Sequence, residues 1–121
     1  MKEKIFSVVL LFTVIFTVTF NTYMLTKAID EIIKDANELD LDRENAEKEA
    51  NNVYSSYKNK EMLMSLSVSH DDLTNIEDCF VEMIASLSVS DTDGAKIAKS
   101  RLINSLEHLR RLSSFNIDSI I

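Results

Sequence analysis

Six polar side chains stand out as candidates for chemistry: His70, Asn75, Glu77, Glu107, His108 and Arg110. His70 and His108 are the only two imidazoles in the chain. An imidazole beside a carboxylate is a plausible metal-ligand pair, and two such pairs would make a small metal or polar site. The six fall in two short stretches, residues 70–77 and 107–110, which meet only if the helices bearing them run antiparallel. Glu77 lies on an apolar stripe with Leu73, Phe80 and Ile84. Burying a lone carboxylate is costly, so it needs a partner, and His108 or Arg110 is at the right level to serve. No H-E-x-x-H spacing accompanies the histidines. The weight therefore falls on a hydrogen-bonded cluster that fixes helix register, with a ligand or metal site as the alternative.

Other motifs carry less. Asp40-Leu41-Asp42-Arg43-Glu44 begins like a calcium loop but lacks the glycine and the distal glutamate such a loop requires. It reads as helix caps and a solvated face, as does Asp91-Thr92-Asp93-Gly94. Met62, Met64 and Met83 read as core filler. Cys79 is the only cysteine, so the chain can make no internal disulfide, and its expected place is the core. There is no G-x-S-x-G nucleophile context. With Gly94 the single glycine, a backbone cradle for phosphates is excluded. No enzyme activity and no cofactor are expected. A net charge of −7 argues against nucleic acid as a partner.

The elements that must position these residues are helices. One glycine and no proline in 121 residues leave hairpins and tight βα turns without their usual residues. Leu25, Ala28, Ile29, Ile32, Ile33, Ala36 and Leu39 recur at helical spacing, predicting a helix that ends near Leu39. Asp40 or Asp42 would cap the next helix, from about Arg43 to about Leu66, which carries Ala46, Ala50, Val53, Tyr57 and Leu63 or Met64. Ser69 and Asp72 form a capping-box pattern before a third helix bearing Leu73, Ile76, Phe80, Met83, Ile84 and Leu87. Ser90 or Asp91 would cap a fourth, with Ala95, Ala98, Leu102, Leu106 and Leu109. Arg110 and Arg111 are expected in its last turn. Phe115, Ile117, Ile120 and Ile121 make an apolar tail that must dock on something.

Residues 5–25 carry no charge, and about 20 apolar residues suffice to cross a bilayer core. Thr13, Thr17, Thr19 and Thr22 are tolerated there because their hydroxyls can return to helix carbonyls. Lys2 and Lys4 precede the segment and an acidic helix follows, which places the N-terminus in the cytoplasm. Bulky residues after the apolar core argue for a retained anchor over a cleaved signal peptide. The predicted fold class is all-α: an N-terminal transmembrane helix at 1–25, then a small antiparallel helical bundle at 26–121, outside the cytoplasm of a single-pass cell-membrane protein.

His70-Asp71-Asp72-Leu73-Thr74-Asn75-Ile76-Glu77, with Leu106-Glu107-His108-Leu109, resembles an uncharacterised bacterial family, the domain-of-unknown-function family four-three-six-three. The resemblance extends over nearly the whole chain. It implies a short N-terminal anchor, a helical remainder and an origin in low-GC Gram-positive bacteria. Tryptophans are common in that family's second helix; here Tyr54 and Tyr57 lie in that region and the chain has no tryptophan. Members are encoded beside a small multi-pass membrane protein, which implies a membrane partner, and the resemblance implies no reaction. Two functions follow as expectations. The first is an interaction module or accessory subunit, bound to the bilayer through residues 5–25 and to a membrane protein or a second copy of itself. The alternative is a small extracytoplasmic ligand- or metal-binding module.

Overall fold

The structure, a computed structural model, describes residues 2–66 and 68–120, with side chains described through Leu112. It holds four helices and, among the described residues, no strand: α1 Lys2–Glu38, α2 Ala46–Ser65, α3 His70–Ser88 and α4 Thr92–Ile120. Each packs on its sequence neighbour, and α4 closes the ring by packing on α1. Short connections make successive helices antiparallel. The all-α bundle behind a long apolar helix is thus as the sequence predicts.

Helix α1 is 37 residues long, about 55 Å at helical rise. Its first half is exposed on every side, whereas Leu25, Ala28, Ile29, Ile32 and Ala36 of its second half are buried. It is the one helix among the described residues long and apolar enough to cross a membrane. Thr13, Thr17 and Thr22 donate their hydroxyls to the carbonyls of Val9, Thr13 and Val18, each at 2.8 Å. No break separates the apolar half from the half that belongs to the core.

That core is built from the predicted stripes. Tyr57, Phe80, Ile29, Ile32, Met64, Ile76, Met83, Leu102 and Leu106 are its largest fully buried side chains. Met62 departs from expectation: it is 81% exposed and fills no core. Polar ties fix the register of each helix pair: Lys60 with Glu31, Lys58 with Glu77, Arg101 with Glu82 and Arg110 with Asp30.

The helix ends correct two expectations and bear out two. Neither Asp40 nor Asp42 caps α2. Asp40 Oδ1 instead accepts from the Asp42 N–H at 3.1 Å, and α2 starts at Ala46 behind Asn45, whose side chain makes no cap bond. The chain stays in turns here because Leu39 and Leu41 are both buried, closing the core at this end. Ser69 does cap α3, accepting from the Asp72 N–H at 3.2 Å and donating to the Asp72 carboxylate at 2.9 Å. Asp91 caps α4, accepting from the Gly94 N–H at 3.0 Å. Arg110 and Arg111 are not in the last turn, because α4 runs on to Ile120 with no helix breaker to stop it. The apolar tail (Phe115, Ile117, Ile120, Ile121) lies outside the described side chains.

Candidate functional site

The expected polar cluster divides over three faces. Glu77 turns toward α2. Its Oε1 accepts from Lys58 Nζ at 2.8 Å and from the Tyr54 hydroxyl at 3.1 Å. The expected partners, His108 and Arg110, are therefore replaced by Lys58 and Tyr54. The Lys58 ammonium, helped by the Tyr54 hydroxyl, holds the Glu77 carboxyl below its ordinary value, and His70 adds a weaker pull. Arg110 reaches across to Asp30 of α1. Asn75 donates to the Ser105 hydroxyl at 3.0 Å. Asn75 and His108 do come together, lining a groove of about 210 Å³ between α3 and α4 with Asp72, Asn104, Ser105 and Leu109. His70 and Glu107 stand exposed. Among the described residues, no group of three His, Cys, Asp or Glu side chains is placed to hold a metal ion.

Around Glu77 a polar and aromatic cluster forms that the sequence reading does not contain. Tyr54, Tyr57 and Phe80 pack together, with Phe80 5.2 Å from Tyr54 and 5.3 Å from Tyr57, ring centre to ring centre. Tyr57 is fully buried and donates its hydroxyl to the Leu73 carbonyl at 3.2 Å. Burial pushes the Tyr57 phenol well up, and burial with the Glu77 carboxylate raises that of Tyr54. Lys58 also reaches Glu61 at 3.3 Å and sits over the Tyr54 ring, 5.5 Å from its centre. Tyr54, Tyr57, Lys58 and Glu77 each bond across to a partner within the bundle, so the cluster is a clamp between α2 and α3. A signal for it was available: Tyr54 and Lys58 lie four apart on α2, as Leu73 and Glu77 do on α3.

The surface of the bundle is uneven along its length. At the end next to the apolar half of α1, the proximal end, stand Tyr23 at 60% exposed, Met62 at 81%, Leu66 at 74% and Leu112 at 44%. They come from α1, the end of α2 and α4. At the opposite, distal end the exposed residues include Asp40, Asp42, Arg43, Glu44, Asp91 and Asp93, with Val89 and Ile97 as exposed large apolar side chains among them. Cys79 lies between, buried as expected, and burial raises its thiol pKa against the opposing pull of the Arg101 charge.

No family model, curated protein or solved structure matches this chain.

Proposed function

We propose that the chain is a membrane-anchored interaction module, an accessory subunit that presents a helical bundle to a membrane partner outside the cytoplasm. One observation carries the reading: the apolar segment and the first core helix of the bundle are one unbroken helix, α1. A helix whose second half is core cannot shed its first half as a separate leader without the cut falling at the edge of the fold. Lys2 and Lys4 ahead of the apolar segment support a cytoplasmic N-terminus. Of the polar groups that looked most like a reactive site, Glu77, Arg110 and Asn75 are spent on bonds between helices, and the reading assigns no reaction.

Crosslinking in intact cells, followed by affinity purification and mass spectrometry of the membrane fraction, tests it. One dominant membrane protein, or a second copy of this chain, is the expected capture. A monomer with no partner would sink the reading.

A second reading keeps the groove between α3 and α4 as a small-ligand site, on the observation that Asn75 and His108 line it together. A rise in melting temperature of the purified protein with zinc, absent in His108→Ala, would favour it over the first.

A further inference from the structure

The proximal end of the bundle carries exposed apolar side chains that the span alone does not explain. In the register set by Lys60 on Glu31, α2 runs back along α1 so that Leu66 comes level with the turn around Leu25. That turn is where burial of α1 begins, two residues before Lys27, the first charge after Lys4. Met62 stands one turn further from it on α2. In the register set by Arg110 on Asp30, Leu112 of α4 comes level with the turn around Ala28. The apolar stretch of α1 is about as long as a bilayer's hydrocarbon core is thick. Placing it there sets Leu66 and Met62 at the depth of the headgroups. Tyr23 falls at the same depth, where tyrosine is favoured for its apolar ring and polar tip.

Resting on the anchored reading above, we infer that the end of α2, through Met62 and Leu66, is a second lipid contact that seats the bundle on the bilayer surface. The occupant is lipid because this apolar rim is continuous with the span, unlike Val81, Val89 and Ile97, which are exposed elsewhere on the bundle. The distal end, which faces away from the bilayer in this arrangement, is mainly charged. Single exposed apolar residues need no explanation on a protein surface. An exposed methionine and leucine four apart, level with the membrane boundary on a neighbouring helix, do. Side chains inserted at headgroup depth bind by the apolar area they remove from water.

The test uses the full chain in phosphatidylcholine–phosphatidylglycerol vesicles, with and without bromine on the acyl chains, placed either near the headgroups or near the chain ends at the bilayer centre. A polarity-sensitive fluorophore is placed in turn at Leu66→Cys, Met62→Cys, Phe16→Cys and Val89→Cys. The native Cys79 is 2% exposed and stays unlabelled in the folded protein, which labelling of the unsubstituted chain verifies. Blue-shifted emission, quenched by bromine, is expected at positions 62, 66 and 16, with water-like, unquenched emission at 89. If 62 and 66 resemble 89 while 16 is quenched, the second contact is refuted and the anchor stands. If 16 is also unquenched, the anchored reading fails and this inference with it. A blue shift at 62 and 66 without quenching places protein, not lipid, on that surface and equally refutes the inference.

Discussion

At the scale of single residues, the side chains fall into those that hold the bundle and those that only decorate it. Phe80 is fully buried between Tyr54 and Tyr57, so Phe80→Ala is expected to cost about 3–5 kcal/mol, read from urea unfolding. That is most of the stability available to a small domain. Tyr57→Phe keeps the ring and loses only the bond to Leu73, a loss of about 1 kcal/mol. Glu77→Gln breaks a pair that water still reaches and should cost less than about 1 kcal/mol. Its effect depends on pH with a defined sign. The folded Glu77 carboxyl titrates below its ordinary value of 4.5, to which unfolding returns it. Its contribution is therefore complete above that value and is lost as pH falls through the lowered one. Unfolding curves of the two proteins should differ at pH 7 and converge in acid. Cys79, buried with its thiol pKa raised, should stay unmodified by iodoacetamide until urea unfolds the chain. The need of Glu77 for a partner was legible in the sequence; the partner was not. Helical spacing shows that Glu77 lies on the flank of the α3 stripe. Which neighbour meets that flank depends on the handedness of the bundle, and an apolar pattern does not encode that.

At the scale of elements, the turn between α3 and α4 is the most economical piece of the chain. Ser90 N–H bonds to the Leu87 carbonyl at 3.1 Å and Asp91 N–H to the Ser86 carbonyl at 2.8 Å, closing the end of α3. That closure requires a left-handed residue, and Ser90 supplies it with φ of 61°. Glycine is the residue normally found there. Ser90→Gly is expected to raise stability by up to about 1 kcal/mol, measured by thermal or urea unfolding. Asp91 then ends one helix and caps the next. A Cβ on Gly94 would press against the Asp91 carboxylate and lie 3.2 Å from the Ser86 hydroxyl. Gly94→Ala should therefore displace the cap and forfeit the gain of about 1 kcal/mol that alanine ordinarily brings to a helix. In an Asp91→Ala background the same change should recover that gain. A double-mutant cycle showing no coupling between the two positions would contradict this account. All four helices and their buried stripes were legible, because apolar residues at steps of three and four leave few alternatives. The start of α2 was not. Asp40 and Asp42 have the right chemistry for a cap, but Leu39 and Leu41 must first be delivered to the core, and that demand holds the chain in turns as far as Asn45. The extent of α4 was misjudged for the opposite reason: arginines suggested a terminus, but nothing after them breaks a helix.

At the scale of the whole molecule, the decisive feature is that α1 passes from apolar segment to bundle core without a joint. A helix turns about 100° and climbs about 1.5 Å with every residue. The direction in which the bundle faces around the axis of the apolar segment is therefore a fixed angle, written into the number of residues between them. One alanine inserted between Met24 and Leu25 would swing the entire bundle by about 100° while leaving its interior untouched. A partner that grips both the apolar segment and one side of the bundle would lose its hold. Insertions of one or two residues should abolish crosslinking to such a partner. Seven inserted residues, nearly two full turns, should bring it back, and a steady decline with insertion length would show that distance alone matters. The chain behaves in this respect as a key cut on a rigid shaft, whose teeth meet the lock only at one rotation.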